Sequence, residues 1–349
     1  MYDSCKVAVV LGVVLLAVPT PGALGQAPTI CDIQYTTNAD GSSVYDGQVI
    51  DCAGGIVVGK YLGNRPRIFL QDPDCPVVLA DPDCPDGWGG IQVKDWTWPY
   101  QLYNAVQIGD WVELTNVRVE EYVGVTFLQW QPENSPGFTR FPGYLLPPVI
   151  PVALDDIPAP IGYPEDRWCV ENHDAECYES MRLVVRDVTV AEMDLGKARD
   201  NYVLADSGTH GVWAADYMNG DKVLWEDYHP YVETGRHFCA VAGLFEQYTS
   251  GRYDYYQLVT LHSEDLAVCG DGDSDGDVDL ADLPRYNECS TGPLCDGLAG
   301  GCDPPAWTWI PPQPDLGLAH CLMMDFDTDG DVDLFDFDSL QGVFGFTIP

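Results

Sequence analysis

The feature that most restricts the fold of this chain is an internal repeat. Residues 108–122 align without a gap with residues 234–248, and both stretches contain a glycine turn, a run of β-branched and aromatic residues, and a final Glu-x-Tyr. Upstream, Tyr45 corresponds to Tyr178, residues 69–72 to 203–206, and residues 90–93 to 211–214. A repeated unit of this length predicts two similar domains in tandem.

Each copy contains about five short runs of β-branched or aromatic residues, separated by Gly, Pro, Asn and Asp. Such runs are typical of strands, and no long stretch has the period of an amphipathic helix. Five strands in about 100 residues suit a small Greek-key barrel. A β-sandwich also fits regular short strands and stays open as the alternative.

The order of these signals resembles the OB-fold modules of exported bacterial proteins. The resemblance rests on Ile33-Gln34, residues 69–72, Ile108-Gly109-Asp110 and Glu121-Tyr122-x-Gly124 in the first copy, and on Tyr178-Glu179 and residues 243–248 in the second. It implies a mainly β chain with two tandem OB-like five-stranded barrels, at residues 26–150 and 169–268. The Pro-rich residues 151–168 are expected to form an extended connector.

The first 25 residues predict export. Lys6 precedes an apolar run from Val7 to Val18, and Ala23-Leu24-Gly25 provides the small residues of a cleavage site. The apolar run is shorter than the roughly 20 residues that a membrane-spanning helix needs, and no later segment is apolar enough to span a bilayer. We therefore expect a secreted protein without a membrane span.

The cysteines agree with this compartment. Removing Cys5 with the signal leaves 12 cysteines, and an even number in an exported chain argues for disulfides. The short-range candidates are Cys75 with Cys84, Cys169 with Cys177, and Cys239 with Cys269, while spacing leaves the connectivity open. Zinc is disfavoured because the chain has no Cys-x-x-Cys pair.

The charge of the chain is strongly negative. Sixteen Lys and Arg against 55 Asp and Glu give a net charge of −39. Affinity for DNA or RNA comes largely from Lys and Arg that displace counterions from the phosphates. The composition therefore disfavours a conventional nucleic-acid partner, unless calcium bridges the carboxylates to the phosphates.

Two acidic loops near the C-terminus form the strongest motif. A calcium loop of the EF-hand type needs oxygen ligands at positions 1, 3, 5, 9 and 12, a Gly at position 6 and a backbone carbonyl at position 7. Residues 271–282 and 325–336 both fit, and together they predict that two Ca²⁺ ions are bound. The candidate ligands are Asp271, Asp273, Asp275, Asp277, Asp279, Asp282, Asp325, Asp327, Asp329, Asp331, Asp333 and Asp336.

Because position 12 is Asp and no helix precedes either loop, the pair resembles type I dockerin repeats. The resemblance implies a small α-helical calcium module at residues 269–349, with one helix after each loop, that docks onto a cohesin-like exported protein. Partner specificity in that family usually resides at loop positions 10 and 11, which here are Leu280-Ala281 and Leu334-Phe335 rather than small hydroxyl residues. Pro284 should shorten or kink the first helix.

Trp96, Trp98 and Tyr100 form an aromatic cluster in the first barrel. Their flat apolar faces could stack on the sugar rings of a polysaccharide. The alternative is that they cap the barrel core, since aromatic residues contribute much of core burial.

Catalytic motifs are weak throughout. Ser207 lacks the Gly-x-Ser-x-Gly of a nucleophile elbow, and no His-x-x-x-His spacing occurs. Glu120 and Glu246 share a repeat position and are the pair to inspect for glycoside hydrolysis, although that shared position indicates a structural role first. The sequence thus predicts a secreted, non-catalytic binding or assembly protein. A carbohydrate-binding accessory protein and a divergent hydrolase are the alternatives.

Overall fold

The computed structural model describes residues 27–38, 41–63, 66–75, 81, 84, 86–122, 124–158, 175–193, 201–206, 211–218, 232–250, 253–262, 265–272, 278–289, 324, 326, 332 and 334–343. The predicted signal at residues 1–25 lies outside these ranges.

Five strands close the first barrel. They are β1 (Val49–Tyr61), β2 (Arg67–Gln71), β3 (Gly90–Lys94), β4 (Trp111–Tyr122) and β5 (Val125–Gln129). Their order is β1-β2-β3-β5-β4, and β4 pairs back with β1 to close the sheet. Only the β3–β5 pair of this barrel is parallel, so the chain has the five-stranded Greek-key order of an OB fold.

Shorter elements complete this barrel. α1 (Ile30–Gln34) is capped by Thr29. The Thr29 side chain accepts a hydrogen bond from the Asp32 N–H, and the Asp32 carboxylate accepts one from the Thr29 N–H. α2 (Gln101–Ala105) connects β3 with β4, and β6 (Gly137–Phe141) pairs with the outer edge of β4. The capping box explains why so short a helix as α1 forms, because it satisfies two N–H groups at the helix start.

The second barrel repeats the first. After β7 (Ile150–Pro151) come β8 (Arg182–Met193), β9 (Tyr202–Ala205), β10 (Gly211–Ala215), β11 (His237–Ser250) and β12 (Tyr253–Val259), followed by β13 (Leu266–Ala267). The order β8-β9-β10-β12-β11 closes through β11 and β8. The two closed five-stranded barrels confirm the mainly β prediction, and the β-sandwich alternative is wrong.

The internal repeat corresponds to these barrels strand by strand. Gly109 and Gly235, which align in the sequence, precede β4 and β11 and have φ values of 84° and 89°. Glycine adopts this left-handed conformation without the steric cost that a Cβ brings, so the same tight turn starts the fourth strand of each barrel.

Alternate residues of the strands fill the barrel interior. In β2, Ile68 and Leu70 belong to the core of the first barrel, as Ile91 and Val93 do in β3. The residue between the first pair, Phe69, faces outward and is also fully buried. A strand that is buried on both faces needs a second layer, and the second barrel supplies it.

The two barrels share an apolar interface. Ile56, Val58 and Phe69 of the first barrel pack with Leu244 and Val259 of the second, together with Met218 and Leu261. At Gly90 the backbones approach so closely that a Cβ would overlap the carbonyl oxygen of Glu179 and lie 2.6 Å from the Cγ of Met181.

Disulfides reinforce this arrangement. The structure contains Cys31–Cys75, Cys84–Cys177 and Cys239–Cys269 among the residues that it describes. The predicted Cys239–Cys269 pair is confirmed, whereas the Cys75–Cys84 and Cys169–Cys177 pairs are wrong. The reason is tertiary, because packing of the barrels brings Cys84 next to Cys177 across 93 residues of sequence. One disulfide therefore joins the two barrels covalently.

The start of the expected connector is part of the second barrel. Ile150 pairs in parallel with Leu183, and Val152, Leu154 and Ile157 are buried in the core cluster of that barrel. Apolar residues between the prolines explain the difference, because their burial outweighs the extended tendency of the prolines. The remainder of the segment, from residue 159, lies outside the description.

Two helices follow the acidic loops. α3 (Leu283–Cys289) begins after the first loop and α4 (Leu334–Val343) lies at the end of the second. Tyr286 and Leu340 from these helices pack with Val184, Ala240 and Ala242 of the second barrel. Pro284 lies in the first turn of α3, where its missing N–H removes no helical hydrogen bond. Most of residues 269–349 lie outside the description, so the dockerin-like module stays a prediction.

Within the described parts of the chain, no helix has the length and apolar character needed to cross a bilayer.

The close approach at Gly90 predicts that Gly90→Ala destabilises the protein by about 1–3 kcal/mol, because overpacking forces the backbones apart. Thermal unfolding followed by circular dichroism measures the change. Gly342→Ala is the matched control: its added Cβ meets no atom within 4 Å and its helical position favours alanine. Equal melting temperatures for Gly90→Ala and the wild type would contradict the observed packing.

Candidate functional site

OB folds commonly bind ligands on the face of their second and third strands, with the adjacent loops. In the first barrel, the outward side chains of β2 face the second barrel instead. Phe69 is buried in the interface, and the side chain of Arg67 is only 15% exposed. This part of the usual ligand face is therefore closed.

Arg67 forms an ionic network across the interface. Its Nη1 lies 3.3 Å from Oε2 of Glu246, and its Nη2 donates to the Tyr217 hydroxyl at 3.1 Å. The Tyr217 hydroxyl donates in turn to Glu246, whose other oxygen accepts from Gln257. Burial lowers the pKa of Arg67, but the charge of Glu246, the hydrogen bond to Tyr217 and the effect of Tyr61 together outweigh it, and the pKa is raised. Arg67 stays charged, and the network orients the barrels.

Glu120, the repeat partner of Glu246, has a different environment. Its Oε1 pairs with Nε of Arg118 at 2.6 Å on the surface of β4. Glu246 is 1% exposed and pairs with Arg67 in the interface. The two carboxylates have separate partners, so the structure does not assemble them into the pair that glycoside hydrolysis requires.

The corresponding face of the second barrel is also covered. Val203 and Leu204 of β9 are fully buried, and every residue of β10 is buried. In the described residues, therefore, neither barrel exposes the face of its second and third strands, where OB folds commonly bind ligands. A ligand site would have to lie on the exposed rims of the barrels.

An aromatic ledge, formed by Trp98 and Tyr100, lies on the rim of the first barrel between β3 and α2. The Trp98 side chain is 78% exposed, the highest value among the large apolar side chains described. The Tyr100 ring meets it edge to face, with 5.5 Å between the ring centroids. Trp96, predicted with them, turns toward the barrel and lies 6.3 Å from Phe127. The structure thus brings two of the three predicted aromatic residues together at the surface.

Local hydrogen bonds hold the ledge. Tyr100 donates its N–H to the Thr97 carbonyl, and Asn104 donates from its side chain to the Pro99 carbonyl at 2.7 Å. Asp95 is fully buried and accepts from the Tyr103 N–H at 3.0 Å. These bonds fix the backbone around Trp98, so the indole is presented from an ordered loop.

The electrostatic surroundings of the ledge differ from the rest of this acidic chain. Residues 96–109 contain no Asp or Glu. The Lys60 ammonium lies 4.4 Å from the centroid of the Tyr103 ring. The Lys94 ammonium lies 3.1 Å from the centroid of the Phe127 ring and 5.4 Å from that of the Trp96 ring. The flanking acid Asp110 is buried and paired with Arg140. Sequence reasoning missed both lysines. Only the fold brings Lys60 to this segment, whereas Lys94 is the last residue of β3 and precedes the segment in the chain.

The described residues of the acidic loops share one geometry. Asp282 and Asp336, both at position 12, are buried and accept from the N–H of position 2, that is, from Gly272 at 2.5 Å and Phe326 at 2.6 Å. Asp271, at position 1, is also buried. Buried carboxylates in short loops fit a hard divalent cation, which takes oxygen ligands and offsets their charge.

The other candidate ligands of the loops fall into two groups. Asp279 is described, and its N–H donates to Asp282 at 2.7 Å. Asp273, Asp275, Asp277, Asp325, Asp327, Asp329, Asp331 and Asp333 lie outside the described residues.

The proposed partner-binding positions are described only in part. Leu280 is 72% exposed and Ala281 is exposed, so neither seals a core. Leu334 and Phe335 begin α4, and their side chains lie outside the description.

No protein-family model matches this chain. No curated protein matches it either. Among solved structures, a domain of Pot1 from Schizosaccharomyces pombe bound to single-stranded DNA is similar, with 14% identity and a TM-score of 0.22, over 28% of this chain and 81% of that one. An OB domain from Methanosarcina mazei is similar with 15% identity and a TM-score of 0.21, over 29% and 80%.

A longer match is fission yeast Pot1 with single-stranded DNA, at 10% identity and a TM-score of 0.23, over 62% of this chain and 79% of that one. The prediction of a cohesin-like protein or a polysaccharide as partner, with nucleic acid disfavoured, is contradicted by these comparisons, since two of the three proteins were solved with single-stranded DNA. Net charge describes a whole chain, whereas OB folds hold single strands through local stacking and charge.

The buried network predicts that Arg67→Met destabilises the protein by about 3–5 kcal/mol, because Glu246 would keep a buried charge without its counterion. Urea unfolding gives the change in the free energy of unfolding. Arg118→Met removes the partly exposed pair with Glu120 and should cost about 0–1 kcal/mol. Losses of equal size in both variants would show that Arg67 is no more important than a surface residue.

Proposed function

We propose that this chain is an exported, non-catalytic binding protein that takes single-stranded nucleic acid at the aromatic ledge. The observation that carries the proposal is the exposed Trp98 indole, held beside Tyr100 in a stretch without acidic residues. Base stacking on aromatic side chains is a main source of affinity for single strands. The disulfides and the N-terminal signal pattern support export.

The binding mode follows from the charges. Lys60 supplies positive charge next to the ledge, 4.4 Å from the Tyr103 ring, while the chain as a whole carries −39. Long-range repulsion then opposes binding, and screening by salt weakens that repulsion. Moderate salt or added calcium should strengthen the complex, whereas binding by a basic protein weakens as salt rises.

Trp98→Ala should weaken binding of a labelled oligothymidylate by about 5- to 150-fold, since stacking contributes about 1–3 kcal/mol per base. Fluorescence anisotropy in calcium and in EDTA measures it. Tyr144→Ala is the matched control, because Tyr144 is 46% exposed but lies outside the ledge. No binding by the wild type under any salt condition would overturn the proposal.

We also propose that the two acidic loops bind calcium. Asp271, Asp279, Asp282 and Asp336 are the described residues that would hold it. Calcium would offset the negative charges of these carboxylates. The two loops lead into α3 and α4, which pack on the second barrel. Ion binding would therefore stabilise the packing of α3 and α4 on that barrel.

Isothermal titration calorimetry of the full chain should show uptake of two ions, and chelation should lower the melting temperature. Asp336→Asn should weaken one of the two sites, because an amide carries no negative charge. Asp338→Asn is the control, since Asp338 is exposed on α4. If no heat accompanies calcium addition and chelation leaves the melting curve unchanged, the calcium proposal is wrong.

A further inference from the structure

Glu179 lies at a close approach between the two barrels. It precedes β8, and its backbone carbonyl lies against Gly90 of β3. The neighbouring residue Ser180 donates its N–H to the Phe245 carbonyl at 2.7 Å, and Arg182 donates its N–H to Gln71 of the first barrel at 3.1 Å. The Cys84–Cys177 disulfide closes the same junction. Glu179 is thus enclosed where the two barrels pack.

The carboxyl group of Glu179 is buried with little compensation. The residue is 1% exposed, no side chain donates a hydrogen bond to either carboxyl oxygen, and the backbone N–H of Thr126 is the one donor near enough to favour the charged form. Such a group is costly to bury in its charged form, because one backbone donor does not replace the water that it loses. An uncharged carboxyl group costs far less.

Three charged groups face Glu179 from the surrounding elements. Glu176 comes from the turn before β8, Glu121 from β4, and Lys94 from β3. Glu176 accepts from the Tyr256 hydroxyl at 3.1 Å, and Glu121 accepts from the Thr126 hydroxyl at 2.6 Å. Two nearby carboxylates disfavour a third negative charge, and one lysine partly offsets them.

We propose that Glu179 is a pH-sensitive lock between the two barrels: the junction is closed while this carboxyl group is neutral and loosens when the group ionises. The disulfide keeps the loosened barrels attached to each other. The signal is the external pH, because the proposed function places the protein outside the cell, where the surroundings set the pH.

Burial, and then the charges of Glu176 and Glu121, raise the pKa of Glu179 well above its ordinary value. The folded protein therefore holds this proton more tightly than the unfolded chain does. The resulting stability is fully present below the unfolded pKa, near 4.5. It is lost as pH rises through the folded pKa.

Glu179→Gln tests the proposal, because the amide has the same shape and cannot ionise. Thermal unfolding between about pH 5 and pH 9 should show a melting temperature that falls with pH in the wild type and falls less in the variant. Glu120→Gln is the control: Glu120 is on the surface, and its variant should follow the wild type. Parallel pH curves for Glu179→Gln and the wild type would overturn the lock.

Hydrogen exchange locates the effect. At high pH, amides of residues 87–90 and 177–181 should exchange faster in the wild type than in Glu179→Gln at the same pH, so that the intrinsic pH effect cancels. If the variant does not fold, infrared spectroscopy of the wild type decides the question. A protonated carboxyl band present near neutral pH and lost at high pH supports the lock, and its absence near neutral pH refutes it.

Discussion

Packing of the second barrel on the outer face of β2 is the interaction on which the rest of this structure depends. Phe69 and Leu244 supply its apolar area, and the Arg67–Glu246 pair fixes its orientation. The same packing brings Cys84 to Cys177 and encloses Glu179. A lone OB barrel would expose this face, and the pairing therefore converts a usual ligand surface into an internal one.

Because these faces are closed, the proposed binding surface lies on the rim. The aromatic ledge is exposed because it lies between β3 and α2, beyond the edge of the interface, and hydrogen bonds to its backbone keep Trp98 in place. The helices after the acidic loops pack on another part of the second barrel, at Val184 and Ala240. The sites proposed for nucleic acid, for calcium and for the proton of Glu179 thus lie at three separate places in the chain.

Repeated sequence signals were good predictors of local structure. The aligned Gly109 and Gly235 mark equivalent turns, and the aligned hydrophobic runs became equivalent strands, because these features depend on backbone preference and alternation. Glu120 and Glu246 show the limit of such reasoning. They align perfectly, but one is a surface residue and the other is enclosed by the opposite barrel. Alignment identifies a place on a strand and says nothing about what covers it.

The amino-acid sequence alone determined the two repeated β domains, the acidic loops and the aromatic run, since turn chemistry, strand alternation and ligand spacing are local properties. The choice of a barrel over a sandwich needed the strand pairing. Tertiary structure alone decided which cysteines pair, which faces are covered, and that Trp98 is exposed while Trp96 is turned inward. It also decided that Glu179 is buried beside two other carboxylates. These outcomes depend on contacts between residues far apart in the chain, and no local pattern encodes such contacts.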